Sequence, residues 1–437
     1  MAETLRLGIA GLGTVGAATA KMILRQGNTL FSRSGRPIEI AGLSARDRSR
    51  DRGFDVSGFT WFDDASELAA SPDIDVFVEL IGGEDGPAKA AVEVALSARK
   101  QVVTANKALL AAHGDALAAL ADASGVSIGF EAAVAGGIPA IKTLRESLSG
   151  NTVHRVFGIL NGTCNYILTR MEREDRPFAE ILKDAQDLGY AEADPTFDID
   201  GHDTVHKLAI LASLAFGTTI HAGETHCEGI RDISLSDIKA AKQLGYRIKL
   251  LGVAMRTEGG IEQRVHPTMV PADSPIAQVD GVLNAVACDT DALGQLMLVG
   301  PGAGGDATAS AVVADICDIA RGDRIPVLGR PLADVEPYRR ARMRAHEGGY
   351  YLRLSVYDRP GGFAQIASRM AEAGISLESI VQKRDLIEGA TAAEGEPQPV
   401  VLITHTTTEA AIRAAIQSIA ADGAASGVPQ CIRIETL

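Results

Sequence analysis

Leu5-Arg6-Leu7-Gly8-Ile9-Ala10 is an apolar run of strand length, and Gly11-Leu12-Gly13-Thr14-Val15-Gly16 follows it directly, ahead of a small-residue helical stretch at 17–26. Strand, then G-x-G-x-x-G, then helix is the one order in which three spaced glycines carry meaning. Gly11 allows a tight turn, Gly13 lets a pyrophosphate approach the backbone, and Gly16 lets helix and strand pack closely. The backbone around Thr14 and Val15 then forms a helix N-terminus, where unpaired N–H groups and the dipole favour phosphate. A chain that opens this way is expected to build a parallel α/β sheet with a dinucleotide at its edge.

The next strands fit that sheet. Ile38–Ser44 ends in Ala45-Arg46-Asp47-Arg48. A carboxylate near the end of this strand suits the ribose of NAD, whereas an arginine there accommodates the 2′-phosphate of NADP. Arg46 precedes Asp47, so NADP is favoured and NAD stays usable; the plain alternative is a solvated charge run. Ile74–Leu80 leads into Gly82-Gly83, and Val102-Val103 delivers Thr104-Ala105-Asn106-Lys107. Lys107 falls just past a strand end, the edge where open α/β sheets bind ligands; otherwise it is a surface lysine at a helix start. The bend Glu131 to Pro139 holds one carboxylate and many free carbonyls, a donor set for a monovalent or Ca²⁺-like ion, though most such bends are only turns.

At 437 residues the chain is expected to form two to four domains. A net charge of −14 argues against nucleic acid or an anionic membrane as partner. Five scattered cysteines without Cys-x-x-Cys fit a reducing, cytoplasmic setting. The longest apolar run, Leu208 to Phe216, is too short to span a bilayer, and no basic segment precedes the first apolar stretch as in a signal peptide.

From about residue 150 strands alternate with helices. Val153–Leu160 reads as a strand, and Asn161-Gly162-Thr163-Cys164-Asn165-Tyr166 precedes a helix over 167–174. Leu188 to Asp203 is a Gly/Pro-punctuated loop carrying Glu192, Asp194, Asp198 and Asp200. It runs into an apolar helix on which Asp203 and Lys207 stand four apart and share a face. A lysine held beside carboxylates can lend or take a proton; the ordinary alternative is a surface ion pair. Strands over 248–255, 262–269 and 285–289 follow. Gly302 and Gly304 lie in a glycine-rich turn before a helix over 309–320, whose N–H groups suit phosphate or carboxylate. Residues 323–348 hold three prolines and the run Arg339 to Arg344, the clearest linker. Residues 349–437 look independent, in the order βαββαβ of ferredoxin-like units.

Taken together, these motifs resemble those of homoserine dehydrogenases of the long bacterial type. The resemblance rests on Gly11–Gly16, Thr104–Lys107, Glu131–Pro139, Gly158–Thr163 and above all Leu188–Lys207. It implies an N-terminal Rossmann-type dinucleotide-binding domain (1–140), an α+β substrate and dimerisation domain (141–330), a linker (331–348) and a C-terminal ferredoxin-like ACT domain (349–437). It implies reversible oxidation of homoserine to aspartate semialdehyde with NAD or NADP, on the route to threonine and methionine, in a homodimer or homotetramer.

By the same resemblance Lys207, Asp203 and Lys107 are catalytic, and Glu192, Asp198, Gly162 and Thr163 belong to the substrate pocket. Gly189, Gly302 and Gly304 join the glycine loop around the cofactor. Glu131 with the backbone at Val134, Gly136 and Ile138 matches a monovalent cation site for Na⁺ or K⁺. Asp358, Gly361 and Gly362 match an effector loop, with threonine the implied inhibitor. Three other readings compete: Cys164 as an aldehyde-dehydrogenase nucleophile, His202 and His206 as a zinc pair, and a non-catalytic nucleotide and amino-acid sensor.

Overall fold

The computed structural model describes residues 3–341, 347–357, 361–381, 397–423 and 425–435. Its first sheet has six parallel strands: β1 (Leu5–Ala10), β2 (Ile38–Ser44), β3 (Thr60–Phe62), β4 (Val76–Glu79), β5 (Gln101–Thr104) and β6 (Ile128–Gly129). Their order is β3-β2-β1-β4-β5-β6. The chain runs outward from β1 to β3, then restarts at β4 on the other side of β1. That reversal opens a crevice beyond the C-terminal ends of β1 and β4. Helices cover both faces, so the strands carry apolar residues on both: Leu7, Ile9, Val76 and Val78 enter one core, Phe77 and Val102 the other.

A clean division after residue 140 does not describe the packing. The helix Gly305–Arg321 returns from the second half of the chain to lie on the helix Thr14–Ser34. Its Ala311, Val312, Val313 and Ile316 complete the core around Leu7 and Ile9. At its start, a Cβ on Gly305 would lie 3.2 Å from the Thr14 methyl. The apolar stripe of this helix was legible; which sheet it would cover was not.

The second sheet contains β7 (Val153–Ile159), β8 (His226–Cys227), β9 (Tyr246–Thr257), β10 (Gly260–Pro271), β11 (Leu283–Thr290), β12 (Gln295–Pro301), β13 (Glu347–Tyr357), β14 (Leu377–Val381), β15 (Pro397–Thr404), β16 (Thr407–Thr408) and β17 (Ala425–Ile434). Its main order is β12-β11-β7-β9-β10-β17-β13-β15-β14. The helices Gly162–Glu174 and His202–Phe216 pack against β7, β9, β10 and β11. The helix expected at 167–174 starts five residues earlier, because the Asn161 side chain caps it by accepting from the Cys164 N–H at 2.8 Å.

The C-terminal unit keeps its βαββαβ order, with helices Gly362–Glu372 and Glu409–Ala421, but it is not independent of the rest. β17 pairs in parallel with β10 (Thr268 with Arg433, Met269 with Ile434), so one sheet runs through both units. An open edge on β10 would leave a row of unpaired N–H and C=O groups; Arg340 bridges it at Ile261, β8 pairs at Arg264–Val265 and β17 at Thr268–Met269. Residues 331–341, read as linker, are also tied down: Glu336 O accepts from Thr219 N at 2.9 Å and Arg339 O from Ile261 N at 2.8 Å. Among the described residues no helix is long and apolar enough to cross a membrane.

Candidate active site

The helix His202–Phe216 begins at Gly201, whose φ of 90° needs a glycine, and it presents Asp203 in its first turn and Lys207 one turn later. Lys207 Nζ donates to Asp203 Oδ2 and to the Leu160 carbonyl beyond β7, both at 2.7 Å. Lys107 opens the helix Lys107–Ser124 on the other domain, and its Nζ lies 3.1 Å from Asp203 Oδ1. Asn161 Nδ2 donates to Asp203 Oδ2 at 3.0 Å and to Asp198 Oδ1 at 2.8 Å. One buried carboxylate thus joins two ammonium groups, one from each domain.

Burial alone would raise the Asp203 carboxyl, but the Lys207 and Lys107 charges and the bonds from Lys207 and Asn161 outweigh it. The net effect holds Asp203 well below the usual carboxylate range, as an anion. Asp198 goes the other way: burial and the Asp203 charge push it up, and Asn161 with the two lysines offsets only part. An ammonium has three donors. Lys207 spends two on Asp203 and Leu160, which leaves one for a reacting oxygen.

Lys107 is aimed by a network that local sequence does not display. Glu79, a fully buried acid at the end of β4, accepts from Ile81 N at 2.8 Å, from Gly82 N at 3.0 Å and from the Thr104 hydroxyl at 2.5 Å. Thr104 Oγ1 accepts from Asn106 N at 3.0 Å, and Asn106 Nδ2 donates to Gly83 O at 2.7 Å. The Asn106 side-chain oxygen Oδ1 caps Lys107's helix by accepting from Leu109 N at 3.1 Å. A lone acid at the end of an apolar parallel strand was the available signal.

The glycine loop has three distinct surroundings. A Cβ on Gly11 (φ 91°) would sit 2.2 Å from Leu80 O, and one on Gly16 would sit 1.9 Å from Gly11 O. Gly13 has nothing within 4 Å of that position, so the open side of the loop lies there. No side chain caps this helix at Gly13, and none caps Gly305–Arg321 at Gly304 (φ 109°). Two helix N-termini therefore converge with their donors free for an anion at Thr14, Val15 and Gly305.

The remaining expected residues fall as follows. Arg46 is exposed past β2, while one oxygen of the exposed Asp47 carboxylate, Oδ1, accepts from the N–H and hydroxyl of Ser49 at 2.8 and 2.6 Å. Gly189 (φ 75°) ends the helix Phe178–Asp187, and Glu192 stands exposed beyond it with its backbone carbonyl held by Gln186. Gly162 starts the helix that carries Thr163, whose hydroxyl donates to Tyr190 O at 2.8 Å. Gly302 lies against Asn284, where a Cβ would meet that side chain at 2.0 Å.

Glu131 is buried, and its two carboxylate oxygens accept from Ile141 N and Lys142 N, each at 2.8 Å. Burial and the neighbouring Asp315 charge push it up to about 7. Val134 and Ile138 are buried beside it, and Gly136 (φ 54°) packs on Gly302. Gly361 (φ 88°) precedes the helix that begins at Gly362; Asp358 lies outside the described residues.

Two competing readings lose their basis. Cys164 is fully buried, its thiol donates to Asp198 O at 3.3 Å, and burial with the Asp198 charge pushes it far above the thiol range, so it is no nucleophile. His202 and His206 lie against the Phe197 ring, at 6.2 and 5.5 Å between centroids, and no three metal-ligating side chains converge among the described residues.

Comparison with known proteins covers the whole chain. Residues 11–131 match the homoserine dehydrogenase NAD-binding domain, 139–317 the homoserine dehydrogenase domain and 350–421 the ACT domain. The homoserine dehydrogenase of Pseudomonas aeruginosa is 44% identical over 100% of both chains, and that of Corynebacterium glutamicum 40% over 98% of this chain and 95% of its own. The crystal structure of a homoserine dehydrogenase from Thiobacillus denitrificans superposes with a TM-score of 0.92 at 42% identity, covering 99% of each chain. A hyperthermophilic archaeal homoserine dehydrogenase solved with NADPH superposes with a TM-score of 0.60 at 29% identity, over 72% of this chain and 97% of its own. The chain belongs to the homoserine dehydrogenase family.

Proposed function

We propose that this chain reversibly interconverts L-homoserine and L-aspartate 4-semialdehyde with NADP as preferred cofactor and NAD as a usable one. The observation that carries the reading is the Asp203 carboxylate holding Lys207 and Lys107 together at the cleft between the two domains. The residues fit a nicotinamide dinucleotide: open backbone at Gly13 and two uncapped helix N-termini for its phosphates, and exposed Arg46 for a 2′-phosphate. When bound, that cofactor supplies or accepts the hydride.

In the reducing direction negative charge grows on the aldehyde oxygen. Lys207 stabilises it with its remaining N–H and then gives up the proton, and Lys107 supplies a second positive charge. Asp203 keeps both lysines in place. Glu192 takes the substrate's α-ammonium, Asp198 and the Gly162–Thr163 turn line the pocket, and the far end of the substrate is thereby aligned. Glu131 with the carbonyls of Val134, Gly136 and Ile138 is the site for Na⁺ or K⁺, which would offset the adjacent Glu131 and Asp315 charges.

The ACT unit would bind threonine at Gly361–Gly362, where no side chain among the described residues caps the helix, and lower activity. A second copy would dock along β12, the edge strand with exposed Val299. One assay tests most of this: oxidation of NADPH and of NADH with aspartate semialdehyde, with and without threonine. Absence of turnover with either cofactor, while both bind, would leave the sensor reading in its place.

A further inference from the structure

The loop that carries Asp198 is braced from behind by residues 226–231. Cys227 Sγ donates to Asp200 O at 3.1 Å, and Ile230 N donates to Ile199 O at 2.8 Å. A Cβ on Gly229 would lie 2.3 Å from Ile199 O, so the two backbones are in direct contact. Arg231 adds paired bonds to the Asp200 carboxylate at 3.1 and 3.2 Å. The loop then turns at Gly201 into the helix of Asp203 and Lys207.

The brace is itself gripped by the C-terminal unit. Arg433 on β17, nearly fully buried, donates to Glu228 Oε2 at 3.1 Å and to Glu409 Oε2 at 2.8 Å. His226 Nε2 lies 2.7 Å from Glu228 Oε1 and 3.3 Å from the same guanidinium. β8 and β17 sit end to end on one edge of β10, so a shift of β17 carries Glu228 with it.

We infer that Arg433 and Glu228 are positioning residues for the substrate loop, so that the last strand of the ACT unit is part of the support of the active site. This rests on the reading of Asp198 as a substrate-pocket residue. The path is short and continuous: Arg433, Glu228, the Cys227–Ile230 backbone, the Ile199–Asp200 backbone, then Asp198 on one side and Asp203 on the other. It also gives an effector bound to the ACT unit a physical route to substrate affinity.

The test uses the full chain with steady-state kinetics for Arg433→Met, Glu228→Gln and the double variant. Glu228→Gln keeps size and sits at the partly exposed end of the contact, so it serves if Arg433→Met does not fold. The expected result is a KM for aspartate semialdehyde raised about five- to tenfold, little change in kcat, no change in the KM for NADPH, and a double variant no worse than either single one. Arg433→Lys should recover part of the loss. Glu409→Gln, which loosens Arg433 only on the ACT side, should lower thermal stability with a smaller rise in KM. A folded Glu228→Gln enzyme with wild-type KM, or losses that multiply in the double variant, overturns the inference alone. A wild-type chain with no turnover overturns the functional reading and this inference with it.

Discussion

Lys107 Nζ and Asp203 Oδ1 lie 3.1 Å apart across the cleft between the two domains. Asp203 binds Lys207 on its other oxygen at 2.7 Å, so one carboxylate fixes the spacing of two cations drawn from separately folded elements. On the proposed reaction, the arrangement would hold positive charge ready for the oxygen that becomes an alkoxide, before any substrate arrives. Preorganised charge of this kind is a large source of rate enhancement because nothing has to reorient during reaction.

Lys207→Ala removes the proposed proton donor while leaving the glycine loop untouched. A positioned acid or base contributes about 10²–10⁴-fold, so kcat should fall by that order. NADPH affinity, read by fluorescence titration, should stay within about twofold. Normal turnover in this variant would mean that Lys207 is not at the reacting oxygen.

Asp203→Asn leaves two ammonium groups facing each other without their shared anion. Breaking a buried ion pair costs about 3–5 kcal/mol, and the exposure of Lys107, whose side chain is 34% accessible, puts the expected loss near the lower end. The folded-state carboxyl lies below its unfolded value, so its stabilisation is present above the ordinary carboxylate range and lost as pH falls. Denaturation midpoints of the variant should therefore be lower than wild type at pH 7 and converge toward it as acid is added. Parallel curves at all pH values would mean that Asp203 is not held as an anion.

Much of this was legible in the chain itself. The glycine loop, the second strand over Ile38–Ser44 and the Asp203–Lys207 pair follow from local spacing, and local spacing is what a sequence displays. What stayed hidden depends on distant partners. Glu79 carries no local signal of its role, because the hydroxyl that ties it to the Lys107 turn comes from Thr104 on another strand. The last ninety or so residues looked detached because the pairing of Arg433 with Thr268 joins segments with no common pattern. Strand β12 (Gln295–Pro301) escaped notice because it is half exposed on both faces and alternates weakly.

Asn106→Ala removes the helix cap at Lys107 and the bond to Gly83 together. Loss of a cap costs about 1 kcal/mol, so the variant should fold with a modestly lower melting temperature. Its kinetic penalty should exceed that of an ordinary cap deletion, with kcat down about tenfold, because a misplaced catalytic group is costly out of proportion to the displacement. A second cap supplies the control: Asp64 accepts from Ser66 N ahead of the helix Ala65–Ala70, far from the lysines. Asp64→Ala should cost similar stability and leave kcat alone. Equal kcat in the two variants would reduce the Asn106 network to scaffolding.

Arg46→Ala tests the cofactor choice. A charge-assisted bond from arginine to phosphate contributes about 1.5–3 kcal/mol, or roughly 10- to 100-fold in KM. The KM for NADPH should rise by that order, and the KM for NADH, which lacks the phosphate, should not move. An equal loss with both cofactors would assign Arg46 to the fold of the loop instead.

Glu131 gives the cation proposal a pH signature. Burial and Asp315 raise its carboxyl to about 7, so the folded state holds this proton more tightly than the unfolded chain does. The stability it contributes is therefore complete in acid below the ordinary carboxylate range and declines as pH rises through about 7. A cation at the same oxygens needs the ionised form and competes with the proton. Potassium activation should then weaken roughly tenfold per pH unit below about 7 and level off above it. Glu131→Gln, which keeps the acceptor for Ile141 or Lys142 but cannot ionise, should remove both the potassium response and the decline in stability through about pH 7. Activity measured at pH 6, 7 and 8 over a potassium series in an otherwise large-cation buffer separates the cases. A potassium response that persists in Glu131→Gln would place the ion elsewhere, and no response in wild type at any of the three values would remove the cation from the mechanism.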